Sequence, residues 1–376
     1  MNMELFDVYP LYDVTPVKAR GILVTDDKGV EYRDFYGGHA VISIGHSHPH
    51  YISRITEQLQ KIGFYSNSVH NPLQEELALK LGRMSQCEDY QLFLCNSGAE
   101  ANENALKMAS FHTGKSRVIA FTNSFHGRTS AAVATTDNDS INAPLNRQQQ
   151  VSFVTFNDLE AFEEEAERGD VCAVILECIQ GVGGLDEPDT GFLKEVEGIC
   201  KYHNIVLIAD EVQSGYGRSG KFFAFQHHGI QPDIISIAKG MGNGFPVGGI
   251  LIGAHITPTH GLLGTTFGGN HLACAASLAV LEVIEKEGLV ENAARLGVYF
   301  KEKARAISQV ARIKGRGLML GLEFDFEVAD LRKRLIYKRH IFSGSAKNKY
   351  VLRVLPALNI TAEDLDHFFN ALKAEL

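Results

Sequence analysis

The segment DIISIAKGMGNGFPVGGILIGA, residues 233–254, contains two apolar runs on either side of a glycine-rich stretch that begins directly after Lys239. Stretches of helical pattern separate four further runs that precede it: QLFLC (91–95), RVIAF (117–121), CAVILEC (172–178) and NIVLIAD (204–210). Nearly continuous apolar runs of this length are typical of strands that helices cover on both faces. The alternation therefore predicts an α/β fold built around a mostly parallel sheet between helices.

The length of the chain and the patterns outside this region predict a second, smaller domain. A chain of 376 residues exceeds the roughly 250–300 residues that one hydrophobic core usually supports. A long helical stretch (271–310) and a glycine-punctuated strand pattern follow the alternating region, and GILVTDDKGVEYRDF (21–35) has the pattern of a hairpin. We expect a large α/β domain over 46–258 and a small α+β domain formed by 1–45 and 259–376.

Composition and charge exclude several classes of protein. The chain is 45% hydrophobic and 22% charged, as ordinary globular proteins are, and its formal net charge of −9 argues against a nucleic-acid surface. The six cysteines contain no CxxC pair, which indicates buried reduced thiols. There is neither an apolar run of membrane length nor the pattern of a secretion signal, so we expect a cytoplasmic protein without a membrane partner.

Three ionisable residues, Glu177, Asp210 and Lys239, each lie at the carboxyl end of a predicted strand. Ligands of open α/β sheets bind at this edge of the sheet. A single carboxylate or amine there could equally be a helix cap or a surface charge. Because all three come from strands distant in sequence and one is a lysine, we expect them to converge on one site.

Lys239 is the residue whose surroundings are most unusual. Gly240, Gly242 and Gly244 follow it and remove side chains, which would let a flat cofactor approach an amine that forms an imine. The glycines could also indicate a nucleotide loop. The chain lacks both GxxxxGK[ST] and a GxGxxG placed between a first strand and its helix, which disfavours nucleotide binding.

Two other segments complete the pattern of a cofactor site. Asp210, placed beneath a heteroaromatic ring, would keep the ring nitrogen protonated and make the ring an electron sink. Ser97, Gly98 and Ala99 begin a predicted helix, whose free N–H groups form a ready phosphate site. An imine-forming lysine, a carboxylate for a ring nitrogen and a phosphate-binding helix start together describe pyridoxal 5'-phosphate.

The chain resembles the class III, or ornithine-type, aminotransferases of fold type I along nearly its whole length. Within that family it is most similar to enzymes that act on N-acetylornithine. The motifs that carry the resemblance are DFYGGHAVISIGHSHP, NSGAEANENALK, FHGRT, ECIQGVGG, ADEVQSGYGRSG, SIAKGMGNGFPVGG, GTTFGGNHLACAA, KGRGLMLGLEF and VLRVLPAL.

The resemblance implies a role for each residue around the cofactor ring. Lys239 forms the covalent link to the cofactor and later shuttles a proton, and Asp210 pairs with the pyridine nitrogen. Val212 packs on one face of the ring and Phe125 stacks on the other. Gln213 approaches the phenolic oxygen.

The resemblance also implies that the active site is shared between two subunits. Gly98 and Ala99 hold the phosphate, with Ser97 close by. Thr266 reaches that phosphate from the neighbouring subunit, so the enzyme is expected to be a homodimer with a composite active site.

The implied substrates are a small-molecule amino donor and 2-oxoglutarate. Arg128 holds the carboxylate of an acylated ornithine or the side-chain carboxylate of glutamate, Arg353 takes the α-carboxylate of glutamate, and Thr265 faces the substrate. The expected reaction moves the δ-amino group of N-acetylornithine or N-succinylornithine to 2-oxoglutarate. The products are N-acylglutamate 5-semialdehyde and glutamate, in arginine biosynthesis.

Two departures from the family pattern leave the donor open. Family members commonly read EPIQGEGG where this chain has ECIQGVGG, so that Cys178 replaces proline and Val182 replaces the second glutamate. That glutamate is associated with the arginine equivalent to Arg353, whereas the first, Glu177, is retained as a substrate-binding candidate. SNSVHNPLQ (66–74) lacks the usual tyrosines, and the acetyl and succinyl donors therefore stay alternatives.

Other functions are weighed against this one. Ornithine or 4-aminobutyrate aminotransferase and glutamate-1-semialdehyde aminomutase are alternatives of the same class. A nucleotide-dependent dehydrogenase and a catalytically silent binding module with this fold are alternatives of other classes. His46, His48 and His50 could suggest a metal, but with Pro49 adjoining and no carboxylate or thiolate partner in the motif, a structural role is favoured.

Overall fold

The structure, a computed structural model, describes residues 3–376, so Met1 and Asn2 of the predicted small domain lie outside it. Its strands are β1 (Pro16–Arg20), β2 (Leu23–Asp26), β3 (Glu31–Asp34), β4 (Tyr90–Cys95), β5 (Arg117–Phe121), β6 (Val151–Val154), β7 (Val171–Leu176), β8 (Val206–Asp210), β9 (Ile234–Ile237), β10 (Gly248–Gly253), β11 (Arg312–Arg316), β12 (Met319–Glu323), β13 (Ile341–Phe342), β14 (Gly344–Ser345) and β15 (Val351–Val354).

The helices lie between and after these strands. They are α1 (Gly37–Ala40), α2 (Pro49–Lys61), α3 (Pro72–Ser85), α4 (Gly98–Thr113), α5 (Ser130–Ala134), α6 (Leu159–Ala166), α7 (Thr190–His203), α8 (His271–Lys286), α9 (Leu289–Arg305), α10 (Ala329–Arg339) and α11 (Ala362–Lys373), with 3₁₀ segments at Asp139–Ile141, Ala224–His227 and Lys239–Met241. Among the helices of residues 3–376, none is long and apolar enough to cross a membrane.

The central sheet has seven strands in the order β4-β10-β9-β8-β7-β5-β6. All six predicted runs form strands in it, and the sheet is mostly parallel. The expectation of a mostly parallel sheet is confirmed, and the exception is β10, which runs antiparallel to both neighbours. Only residues 238–247 connect β10 to β9, which is too short for the crossover that a parallel pair needs.

The two other sheets are built from segments outside the central one. β1, β2 and β3 form an antiparallel meander that β13 joins in parallel, and β11, β12, β15 and β14 form the second sheet. The hairpin predicted over 21–35 is therefore confirmed, with Leu23 paired to Arg33. The domain boundaries at 46–258, 1–45 and 259–376 stay a prediction.

Two predicted elements differ in detail from the structure. The long helical stretch over 271–310 is two helices, because Gly288 adopts a left-handed φ of +61° between α8 and α9. Sequence reasoning also missed β6, a strand of four residues at the edge of the sheet with one buried position. A short, half-exposed edge strand carries little periodic signal.

Hydrophobic packing on both faces of the central sheet accounts for its continuous apolar runs. Along β7, Val174 and Leu176 belong to the larger core cluster, while Cys172 and Ile175 belong to a second cluster with α4. The larger cluster continues without a break into the terminal sheets and α11. All six cysteines are buried and free, which confirms the prediction of reduced thiols.

Arg218 joins three distant parts of the chain. Its guanidinium is fully buried and donates to the carbonyl oxygens of Ile42 and Leu318, each at 3.3 Å, and to that of Pro356. Burial lowers the pKa of Arg218 to about 10. The side chain thus ties the loop after β8 to both terminal segments.

Candidate active site

A cavity of about 400 Å³ lies at the carboxyl ends of the parallel strands. It is lined by residues from the loops that follow β4, β5, β7, β8 and β9, among them Asn96, Ser97, Gly98, Ala99, Asn102, Phe125, His126, Arg128, Glu177, Val182, Asp210, Val212, Gln213 and Lys239. The three ionisable residues singled out in the sequence therefore meet in one place. Parallel strands bring this about because their carboxyl ends share one edge of the sheet.

Lys239 stands two residues after β9 with a left-handed φ of +46°. A lysine rarely adopts this conformation, and such a backbone costs roughly 1 kcal/mol or more. Burial lowers the pKa of the Lys239 amine, while the nearby carboxylates of Asp210 and Glu177 oppose that change. The result is an amine that gives up its proton more readily than an exposed lysine.

The glycines after Lys239 differ in what they accommodate, and two of them allow close backbone packing. A Cβ on Gly242 would lie 2.1 Å from the carbonyl oxygen of Phe245, and one on Gly248 would lie 2.7 Å from that of Ser97. Tight turns thus account for Gly242 and Gly248, whereas Gly244 lines the cavity and a Cβ on Gly240 would make only ordinary van der Waals contact. Gly248 also lets β10 approach the start of α4 directly.

Asp210 accepts three hydrogen bonds at the end of β8. Its Oδ1 accepts from the backbone N of Val212 at 3.0 Å, and its Oδ2 accepts from His126 Nδ1 at 2.7 Å and Asn102 Nδ2 at 2.8 Å. Asp210, His126 and Asn102 are all buried, and neither His126 Nε2 nor Asn102 Oδ1 has a partner in residues 3–376. The carboxylate is therefore fixed in orientation by two side chains that sequence reasoning missed.

The start of α4 forms the other end of the cavity. Ser97 is the N-cap, and its Oγ accepts from the backbone N of Glu100 at 3.2 Å. A Cβ on Gly98 would lie 2.6 Å from Val212 Cγ1, so only glycine lets Val212 pack against this turn. The first N–H groups of the helix are then left for an anion in the cavity.

Glu177 is buried at the end of β7 and holds two loops. Its Oε1 accepts from the backbone N of Phe125 at 2.9 Å, and its Oε2 accepts from that of Gly181 at 2.8 Å. Burial raises the pKa of Glu177 to about 7, and the proximity of Asp210 adds to this. Glu177 therefore positions the loop that carries Phe125.

The two arginines predicted to bind carboxylates lie in different surroundings. Arg128 is exposed and lines the cavity rim. Arg353 is buried on β15, outside the lining, and donates to the carbonyl oxygens of Gly181 at 2.7 Å and Ser345 at 2.5 Å and to Tyr36 Oη at 3.3 Å. Within residues 3–376 it forms no ion pair, and burial lowers the pKa of its guanidinium.

Thr265 and Thr266 lie outside the cavity of their own chain. Thr265 Oγ1 accepts from the backbone N of Gly268 at 3.0 Å and from Asn96 Nδ2 at 3.4 Å. Thr266 is exposed and makes no side-chain hydrogen bond within the described part of the chain. Thr265 thus contacts a residue that lines the cavity, whereas Thr266 makes no such side-chain contact.

The three alternating histidines each have a carboxylate partner from another segment, which the motif itself did not reveal. The pairs are His46 with Asp34 at 2.9 Å, His48 with Glu287 at 3.0 Å, and His50 with Glu282. No group of three or more potential metal ligands occurs in residues 3–376. These histidines connect α2 and its preceding loop to neighbouring elements.

Comparison with known proteins places the chain in a family. The family described as Aminotransferase class-III matches residues 8–376. The acetylornithine aminotransferase of Bacillus subtilis (strain 168) is 41% identical over 98% of this chain and 97% of its own length. That of Archaeoglobus fulgidus is 37% identical, over 96% of each chain.

A solved structure supports the same assignment. The ornithine aminotransferase of Toxoplasma gondii ME49 superposes with a TM-score of 0.91 and 29% identity, covering 97% of this chain and 91% of that one. Both the sequence and the fold therefore agree with the motifs around the cavity. The chain belongs to the class III aminotransferases, the pyridoxal-phosphate-dependent transferases of fold type I.

Proposed function

We propose that the chain transfers the δ-amino group of N-acetylornithine or N-succinylornithine to 2-oxoglutarate. The products are N-acylglutamate 5-semialdehyde and glutamate, a step of arginine biosynthesis. The observation that carries the proposal is the meeting of Lys239, Asp210 and the start of α4 in one cavity. Relatives named acetylornithine aminotransferase, at 37–41% identity over nearly the whole chain, support the choice of substrate.

The residues around the cavity suit pyridoxal phosphate. Val212 packs directly against Gly98, and half-buried Phe125 lines the same cavity. Asp210 would hold the ring nitrogen, Gln213 would approach the phenolic oxygen, and Ser97, Gly98 and Ala99 would hold the phosphate. When bound, this cofactor supplies a ring that withdraws electrons and stabilises negative charge on the substrate carbon.

Lys239 is the base of the proposed reaction. Its Nζ would accept the proton that leaves the substrate carbon. It would then return a proton to complete the transfer of the amino group. The lowered pKa of this amine favours the unprotonated form that the first of these steps needs. Asp210 acts through the ring nitrogen and keeps its own orientation through His126 and Asn102.

Two arginines would recognise the carboxylates of the substrates. Buried Arg353 is paired only with neutral oxygens, so a substrate α-carboxylate would supply its missing counter-charge. Exposed Arg128 at the rim would bind the more distant carboxylate, and Glu177 would support the loop that carries Phe125 and Arg128. Thr265 would face the substrate of the assembled enzyme.

The assembled enzyme is proposed to be a cytoplasmic homodimer. Thr266 is exposed and lies outside its own cavity, which suits a residue that reaches the phosphate of a second subunit. Unmodified ornithine is a second candidate donor, because the superposition with the Toxoplasma ornithine aminotransferase covers 97% of this chain.

Two measurements test the proposal. Specificity constants for acetyl-, succinyl- and unmodified ornithine with 2-oxoglutarate should favour an acylated donor. Equal or higher values for unmodified ornithine would contradict the choice of an acylated donor. Purified protein that is colourless, and that gains no absorption band when pyridoxal phosphate is added, would contradict the cofactor assignment.

A further inference from the structure

The loop of residues 265–269 is held by side-chain amides from one short segment. Asn67 Nδ2 donates to the carbonyl oxygens of Thr265 at 3.3 Å and Gly268 at 3.0 Å. Asn71 Nδ2 and Gln74 Nε2 both donate to the carbonyl oxygen of Gly269, at 3.1 and 2.8 Å. Gln74 Nε2 also donates to Asn67 Oδ1 at 2.9 Å, so the three side chains, named here the amide clamp, act together.

The backbone of this loop is pressed against the strand that leads into the cavity. A Cβ on Gly268 would lie 2.5 Å from the carbonyl oxygen of Leu94, near the end of β4. Gly269 has a φ of +73°, and a Cβ there would lie 2.7 Å from Gln74 Nε2. Glycine is therefore required at both positions. This requirement restricts the backbone geometry in which the three amides can make their hydrogen bonds.

Two neighbouring residues of the loop, Thr266 and Phe267, stay exposed while the clamp holds its backbone. The carbonyl oxygens of residues 265, 268 and 269 are occupied by the clamp, and that of Phe267 by Asn270. Thr266 is exposed, and the ring of Phe267 is 60% exposed. Because three carbonyl oxygens of the loop are held, the exposed side chain of Thr266 is kept at a fixed place.

We propose that Asn67, Asn71 and Gln74 are positioning residues that hold Thr266 ready for the cofactor phosphate of a second copy of this chain. This inference rests on the composite active site in the proposed function. It assigns a role to SNSVHNPLQ, the segment that departs from the family pattern, and requires no contact between the clamp and the cofactor.

The test compares apoprotein affinity for pyridoxal phosphate with that for pyridoxal, which has the same ring and no phosphate. Asn67→Ala removes two donors from the loop and should weaken pyridoxal phosphate binding about five- to tenfold. Affinity for pyridoxal should stay within twofold of that of the unaltered protein. Gln74→Glu, which keeps its size but loses both donated bonds, should give the same split and serves if Asn67→Ala does not fold.

Two further variants separate the clamp from the composite site on which it rests. Thr266→Ala should show the same loss for the phosphate ligand, and Asn67→Ala should add almost nothing to it in the double variant. Gln58→Ala is the matched control. It loses a hydrogen bond that the exposed Gln58 amide donates to the carbonyl oxygen of Ile62 at the end of α2, and it should change neither affinity.

The outcomes are distinct. A normal phosphate affinity in Asn67→Ala beside a weakened one in Thr266→Ala overturns the clamp and leaves the composite site standing. A normal affinity in Thr266→Ala overturns both. Equal losses for the two ligands, or a change of oligomeric state by sedimentation in Asn67→Ala, would mean that the amides only stabilise the fold, and the inference would be wrong.

Discussion

His126 is expected to control how well Asp210 holds the cofactor. Its Nδ1 donates to Asp210 Oδ2 at 2.7 Å in a fully buried setting, and its Nε2 has no partner in the described part of the chain. Leucine at this position has a similar volume and no donor. A hydrogen bond to a charged group contributes roughly 1.5–3 kcal/mol, so His126→Leu should weaken pyridoxal phosphate binding about ten- to hundredfold.

The unpartnered Nε2 of His126 supplies a matched control. The side-chain nitrogen of asparagine occupies nearly the position of the histidine Nδ1, and the atoms lost beyond it make no hydrogen bond. His126→Asn should therefore keep most of the affinity that His126→Leu loses. The assay is titration of the apoprotein with pyridoxal phosphate, followed by the absorption of the bound cofactor, with thermal unfolding of each apoprotein measured in parallel.

Three results would refute this reasoning about His126. Affinity in His126→Leu equal to that of the unaltered protein would show that Val212 and Asn102 alone orient the carboxylate. Equal losses in the leucine and asparagine variants would show that the volume of the ring, and not its donor, is what matters. A loss confined to unfolding temperature would assign His126 to the core.

Three further predictions concern other buried groups. Lys239→Ala should abolish turnover while pyridoxal phosphate still binds without a covalent bond, as retention of the cofactor in equilibrium dialysis checks; a variant with normal rates would overturn the role of the lysine. Burial raises the pKa of Glu211 to about 7 from its usual value near 4.5, so the folded chain binds this proton more tightly and loses stability as the pH rises through that window. Urea unfolding of Glu211→Gln apoprotein should show roughly 3 kcal/mol more stability at pH 8 and a flatter profile between pH 4.5 and 7, and an unchanged profile would contradict this. Arg218→Met leaves three buried carbonyl oxygens without their donor and should cost about 3 kcal/mol or more in the same assay, whereas a neutral effect would show that water replaces the guanidinium.

The sheet could be predicted from the sequence because local patterns specify it. Each of the six strands is a nearly continuous apolar run, and five of them are buried at almost every position, while β4 at the edge of the sheet is buried only at Leu94 and Cys95. The direction of β10 could not be read in the same way, since an apolar run carries no sign of its orientation. Only the short connection over 238–247, seen once the strand order is known, requires the reversal.

Some residues of the candidate site could be placed from local sequence patterns, and others depend on contacts between distant parts of the chain. Lys239, Asp210 and the start of α4 follow strands directly, so the edge of the sheet predicts where they lie. Asn102 and His126 reach Asp210 across 108 and 84 positions of the chain, and no local pattern indicates such a contact. Their place in the motifs NSGAEANENALK and FHGRT, beside residues already singled out, was the one signal that could have found them.

Val182 and Arg353 together bear on which substrates the proposed function favours. Val182 lines the cavity one residue after Gly181. The carbonyl oxygen of Gly181 accepts a hydrogen bond from the Arg353 guanidinium, and in residues 3–376 no carboxylate pairs with this arginine. A buried charge held only by neutral oxygens is incompletely compensated, so a substrate carboxylate gains its full interaction without first displacing an internal ion pair. An amino donor whose reacting carbon carries no carboxylate provides no counter-charge for Arg353. Under the proposed function, we therefore expect glutamate and 2-oxoglutarate to bind through Arg353, and we expect discrimination among the acylated ornithines to depend on the part of the cavity around Arg128.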